Sequence, residues 1–104
     1  MKRLQHALTI AFTLGGIAAA GAAEDIRIGQ TLPYSGPVSG FGLIGKTQEA
    51  FFEKVNAEGG INGRKIKFIT LDDAYSPPKT VEQTRKLVEQ EEVQLMFGSL
   101  GTAT

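Results

Sequence analysis

Residues 28–45 read IGQTLPYSGPVSGFGLIG, and the fold turns on what this stretch can be. Ile28 to Leu32 has strand character, Pro33 breaks it, and Tyr34 to Ser39 is a turn-forming mixture of Ser, Gly and Pro. From Gly42 onward a helix opens. A strand that runs through a loop of small residues into a helix is the start of a βα unit. Open α/β sheets take their ligands at the carboxyl ends of such strands, where the strand order reverses. The stretch is therefore expected to form one wall of a small-molecule site.

Working outward, the chain reads as strand, helix, strand, helix, strand. Ile26, Ile28 and Leu32 mark a first strand over about Asp25 to Thr31. Ile44, Gln48, Phe51, Phe52 and Val55 recur at helical spacing across a helix from Gly42 to Glu58, with Lys46, Glu49, Glu53 and Lys54 on its wet side. Gly59-Gly60 ends it, because glycine accepts the left-handed cap, and Asn62-Gly63 turns the chain. Lys65 to Leu71 alternates as a second strand, and Asp72 to Pro78 is a loop. Ser76 is placed to cap the next helix and Pro77 to open it; that helix runs to about Glu91. Val93 to Phe97 is a short third strand, followed by the small-residue loop Gly98 to Thr104. Strands joined by helices of this length pair in parallel through right-handed crossovers, which makes the unit a βαβαβ α/β fold. A parallel sheet of three strands leaves faces and edges uncovered, so residues 24–104 are expected to be the N-terminal part of something larger.

The start of the chain reads as an address. Lys2 and Arg3 are followed by the uncharged apolar run Ala7 to Ala20 and by small residues up to Ala23, the three parts of a secretory signal. The run is shorter than the roughly 20 residues a bilayer-spanning helix needs. Cleavage after Ala23, or after Ala22, is expected, and residues 1–23 are assigned to the signal. Without those 23 residues, 81 of the 104 remain, and Lys+Arg falls from 11 to 9 against 11 Asp+Glu, a balance of −2. That excludes a nucleic-acid footprint, since no basic face exists. The chain has no cysteine, so neither a disulfide nor a lipid-modified first Cys is available.

The chemistry the residues permit is binding rather than catalysis. Gly40-Phe41-Gly42-Leu43-Ile44-Gly45 matches the G-x-G-x-x-G dinucleotide pattern, but Leu32 to Ser39 separates it from its strand and the acidic Asp72 stands too far on. Loop geometry and a helix start explain those glycines better, and no nucleotide or other cofactor is expected. Asp72 and Asp73 are adjacent on a strand and point oppositely, which suits loop capping more than a shared metal ion. The single His, His6, leaves with the signal, so Ser35, Ser39, Ser76 and Ser99 have no base to activate them, and no catalytic residue is assigned. What remains is a pair of loops on one edge of the sheet. Tyr34 to Phe41 follows the first strand, and Gly98 to Thr104 follows the third. Both pair hydroxyls with small residues that let a ligand reach backbone N–H groups, a combination suited to a carboxylate. Tyr34 and Phe41 add aromatic walls.

The segments IGQTLPYSGPVSGFG, NAEGGINGRKIKF, LDDAYSPPKTVEQTRKLV and MFGSLGTAT, in that order, resemble the opening of periplasmic solute-binding proteins of the branched-chain amino acid (Leu/Ile/Val-type) ABC transporter family. The resemblance implies lobe one of a type I, two-lobed fold hinged around its ligand, of which this chain covers about the first quarter. It implies ligand contacts by Ser99, Leu100, Thr102 and Thr104 in the loop after the third strand, and puts Phe41 where such proteins often carry a ligand-facing Tyr. With Tyr34, these are the candidate ligand residues. The implied function is capture of an amino acid or related small carboxylate or amide in the periplasm, for delivery to membrane permease subunits by a monomeric, non-enzymatic protein. A sensing domain of the same architecture and an exported α/β enzyme with catalytic residues further along are the rival readings. A shortened product without activity is a third.

Overall fold

The computed structural model of the chain describes residues 23–102 and Thr104. The expected signal over residues 1–23 lies outside the described residues except for Ala23.

β1 (Ile26–Leu32) pairs in parallel with β2 (Ile66–Asp72) over its whole length, from Ile26 opposite Ile66 to Leu32 opposite Asp72. On its other side β1 pairs in parallel with β3 (Leu95–Met96), Ile28 opposite Leu95 and Gly29 opposite Met96. The order is β2-β1-β3, with the first strand in the middle. β3 is shorter than the Val93–Phe97 expected from sequence. The main chain nonetheless stays bonded to β1 beyond both ends, through Gln94 N–H to Arg27 O (2.8 Å) and Phe97 N–H to Gly29 O (2.8 Å).

α1 (Gly42–Ala57) follows a single 3-10 turn at Ser39–Phe41. It covers the sheet face made by Ile28, Gln30 and Leu32 with Phe68 and Thr70. There the Phe52 ring lies 5.0 Å from Phe68 and 6.0 Å from Phe97, the spacing of favourable aromatic pairs. The helix stops as expected: Gly60 N–H returns to Val55 O (2.9 Å), and Asn62 and Gly63, at φ 51° and 77°, make the two-residue turn closed by Ile61 and Arg64. Asn56 then fastens the end of α1 to the start of β2. Its Oδ1 accepts the Ile66 N–H (2.7 Å) and its Nδ2 donates to the Ile66 carbonyl (2.8 Å).

α2 (Pro77–Arg85) continues through a π-helical turn at Lys86–Gln90, so the helix reaches about as far as expected but with a widened last turn. It packs on the opposite face, where Leu87 is fully buried and Arg27 Nε donates to the Glu91 carbonyl (2.6 Å). Ser76 occupies the N-cap position, but its hydroxyl makes no capping bond. Pro78 at the second helical position has removed one of the N–H groups such a cap would serve. Asp73, fully buried, does related work: its carboxylate accepts the Tyr75 N–H (2.8 Å) and the Thr80 hydroxyl (3.1 Å).

Among the described residues the buried apolar side chains are Ile28, Leu32, Pro33 and Leu87, joined by the buried polar Gln30, Thr31 and Asp73. Phe51, Val81 and Val88 on the outer helix faces, and Phe97 at the sheet edge, are exposed. α1 carries the chain from β1 to β2 over one face, and α2 carries it back from β2 past β1 to β3 over the other, so the direction of winding reverses. The reversal falls between β1 and β3, so the loops after those strands flank a crevice at their carboxyl ends.

Candidate functional site

The loop after β1 is held by Asp72, the last residue of β2. Asp72 Oδ1 accepts N–H bonds from Tyr34 (2.9 Å), Ser35 (3.2 Å) and Ala74 (2.9 Å), and Oδ2 accepts the Ser35 hydroxyl (2.5 Å) with Lys79 Nζ at 3.8 Å. Partial burial pushes this carboxyl up. The Ser35 hydroxyl and the three backbone donors outweigh that and bring its pKa down to about 2. One carboxylate thus ties the loop after β1 to the loop after β2. Asp72, which ends β2, and Asp73, which follows it, point to different partners. Among the described residues no cluster of His, Cys, Asp or Glu is grouped as a metal would require, and no helix is long and apolar enough to cross a membrane.

Tyr34 turns inward. A Cβ on Gly42 would sit 2.8 Å from its ring, and Gly45 is bare where the phenol passes. Two glycines of the G-x-G-x-x-G pattern therefore make room for Tyr34 against α1, and Gly40 has open space around it. The Tyr34 hydroxyl lies 2.6 Å from Thr70 Oγ1, and Thr70 Oγ1 in turn donates to Gln30 Oε1 (3.2 Å). A hydroxyl has one proton, so Tyr34 is the donor to Thr70. Burial raises the phenol above its ordinary 10.0; the Thr70 hydrogen bond opposes the rise and the charges of Glu49 and Asp72 add to it. Tyr34 supports its loop from behind, leaving Phe41, 47% exposed on the 3-10 turn, as that loop's open aromatic face.

The loop after β3 begins at Gly98, which turns the chain out of the sheet at φ +63°, a conformation glycine adopts without strain. The ladder does not end there. Where the next β3 carbonyl would be, Ser99 Oγ accepts the Thr31 N–H (3.2 Å) and the Thr31 hydroxyl (3.3 Å). With its lone pairs so used, the Ser99 hydroxyl has no acceptor for its own proton among the described residues. Leu100 is half-buried and its carbonyl accepts the Thr104 hydroxyl (3.0 Å), so Thr104 closes the loop on itself; Thr102 is exposed.

Tyr75 is a residue the sequence did not single out. Ala74 and Tyr75 both hold left-handed backbone, φ 49° and 59°, which is uncommon outside glycine and costs of order 1–3 kcal/mol each. The pair is held there by the Asp72 and Asp73 carboxylates on its two N–H groups. This brings the Tyr75 ring to the loop after β3, its Cε2 3.3 Å from where a Gly101 Cβ would be. The usable signal was Asp-Asp at a strand end, since aspartate readily takes N–H bonds from residues just after it. Ser99, Leu100, Thr102, Thr104 and Tyr75 gather about one loop, and Phe41 and Tyr34 belong to its neighbour across the crevice.

The sheet is parallel and doubly wound, with hydroxyls and small residues at its switch point. Residues 25–104 match the periplasmic binding protein family, and the chain belongs to it. The "Leu/Ile/Val-binding protein homolog 7" of Brucella melitensis is 35% identical over 106 residues, covering 98% of this chain and 25% of that protein. The branched-chain amino acid transporter substrate-binding protein of Streptococcus pneumoniae, solved with isoleucine, superposes with a TM-score of 0.66 at 28% identity over 71% of this chain and 22% of its own. A solute-binding protein of an R. palustris ABC transporter, solved with benzoate, gives 0.62 at 31% identity over 76% and 22%. The chain spans about a quarter of the length of the relatives it matches. Its fold is the βαβαβ portion of lobe one of the type I, two-lobed architecture.

Proposed function

We propose that the chain forms the first part of an exported solute-binding protein of an ABC transporter, one that captures an amino acid or a related small carboxylate or amide for import. The observation that carries this reading is Ser99. Its oxygen accepts two bonds from Thr31 at the switch point, which leaves its proton as a donor beside the glycines of its loop. Isoleucine and benzoate, the ligands in the two solved relatives, share a carboxylate on an apolar body. A carboxylate suits Ser99 O–H and Thr102 O–H. The apolar body suits Phe41, Leu100 and Tyr75, and Tyr34 and Thr104 act in holding the two loops. In the complete protein a second lobe closes on this one as a hinged clamp, shifting the population from open to closed. Water leaves the carboxylate on closure, and its hydrogen bonds to fixed donors gain strength. The closed form is what membrane permease subunits receive, and no bond is made or broken in the ligand. Residues 1–23 direct export to the periplasm.

The test is titration of the 15N-labelled full chain with benzoate and with L-isoleucine at millimolar concentration. Resonance shifts centred on Thr31, Ser99 and Thr102, and lost in Ser99→Ala, are expected. Shifts located elsewhere, or none with either ligand, refute the site.

A further inference from the structure

Gln30 is fully buried in the middle strand, where an apolar side chain would cost nothing to desolvate. Each part of its amide that is used reaches a different element. Nε2 donates to Gln48 Oε1 on α1 (2.6 Å) and to the Gly98 carbonyl at the start of the loop after β3 (3.1 Å); Oε1 accepts the Thr70 hydroxyl, which carries the bond from Tyr34. A partly buried relay thus joins the loop after β1 to the loop after β3 across the sheet. Its direction is fixed throughout: Tyr34 to Thr70 to Gln30, and Gln30 to Gly98.

The Gly98 end has a geometric consequence. A trans peptide is planar, with its C=O and N–H opposed. When the Gly98 carbonyl points in to Gln30, the Ser99 N–H points away from it. Gly98 carries no Cβ and sits at positive φ, so the barrier to turning this peptide over is low, and without the amide beneath it either face could be presented.

We infer that Gln30 is a positioning residue of the ligand site, fixing the Gly98–Ser99 peptide so that the Ser99 N–H, rather than the Gly98 carbonyl, meets a bound carboxylate. This rests on the site proposed above. Gln30 touches no ligand; it sets the sign of the dipole that does. A turned peptide would present an oxygen to the anion and would favour an uncharged ligand with N–H groups instead.

Two readouts test this on the full chain, with Gln30→Leu as the perturbation. The first is amide hydrogen exchange at Thr31, whose N–H relies on Ser99 remaining in place. It accelerates about tenfold, the factor that corresponds to one lost hydrogen bond, while amides of the β1–β2 ladder such as Ile69 change far less. The second is the preference for benzoate over benzamide, which falls by about tenfold or reverses, a change that uniform loosening would not produce. Equal acceleration at Thr31 and Ile69, or an unaltered preference, overturns the assignment. Thr70→Val leaves Gln30 in place but takes away its hydroxyl partner; it gives the same pattern at smaller amplitude and decides the matter if Gln30→Leu does not fold. If the unmodified chain binds neither compound, the proposed function fails, and the Thr31 exchange alone upholds or overturns the role of Gln30.

Discussion

Gly45→Ala should destabilise this protein, although the same change inside most helices does the reverse. Replacing glycine by alanine in a helix interior gains about 1 kcal/mol from backbone entropy. At Gly45 the new methyl meets the Tyr34 phenol and lies 2.8 Å from Leu32 Cδ1, and both are held. Leu32 is fully buried at the end of the middle strand, and Tyr34 is fixed by Thr70. Overpacking of this kind costs about 1–3 kcal/mol. Moving the phenol aside also breaks its partly buried hydrogen bond, a further loss of about 0.5–1.5 kcal/mol. The net is a destabilisation of about 2 kcal/mol, which lowers Tm by roughly 8–16 °C in a domain of this size. Gly40→Ala is the internal control, because nothing lies within 4 Å of its new methyl; it should leave Tm unchanged or raise it by a few degrees. Urea denaturation followed by circular dichroism measures both, with an unchanged slope confirming that only the native state has altered. If Gly45→Ala is as stable as the parent or more so, the close approach of Tyr34 to α1 is not what the glycine serves.

Other expectations follow from single contacts. Asp72 is more acidic folded than unfolded, about 2 against 3.8, so its contribution is complete above about pH 4 and fades as the pH falls toward 2. Acid titration of stability should show that limb, and Asp72→Asn should flatten it; an identical acid limb in the variant would show that other carboxylates produce it. Asn56→Leu strips the Ile66 N–H and C=O of both partners and should cost about 1–3 kcal/mol in chemical denaturation, with values near zero contradicting the clamp between α1 and β2. Thr102→Val should weaken carboxylate binding by about 1–3 kcal/mol if its hydroxyl meets the ligand, and calorimetry showing equal affinity would remove Thr102 from the site.

The parts of this architecture that alternate or repeat were open to reading, and the parts that depend on a distant partner were not. The apolar periodicity of Ile44 to Val55 gave α1, and Gly59-Gly60 and Asn62-Gly63 gave its end, because these are local preferences. Ile26, Ile28 and Leu32 announced β1, but nothing local marked Gln30 between them as a buried junction. Its burial is decided by Thr70 and Gly98, 40 and 68 residues further on. Tyr34 was legible as part of the loop after β1, but not the direction of its ring, which is set by two glycines at the start of α1. The Val93–Phe97 strand shrank to Leu95–Met96 because Gly98 leads the chain out early and a serine hydroxyl replaces a main-chain acceptor, a substitution with no local pattern. Tyr75 was passed over because its position follows from two carboxylates acting on the backbone rather than from its own chemistry. The resemblance to the family carried the function further than any of these, since hydroxyls in loops are common and their convergence is a property of the folded sheet.

Placing the earliest strand in the middle has a consequence for how the chain comes together in time. Ile26 meets Ile66, 40 residues behind it, and Ile28 meets Leu95 only after 67 have followed. A chain delivered N-terminus first therefore carries β1 unpaired on both edges until β2 and then β3 emerge, and the buried amide of Gln30 has no partners until both arrive. Such non-local pairing slows folding, because loop closure must precede the contacts that reward it.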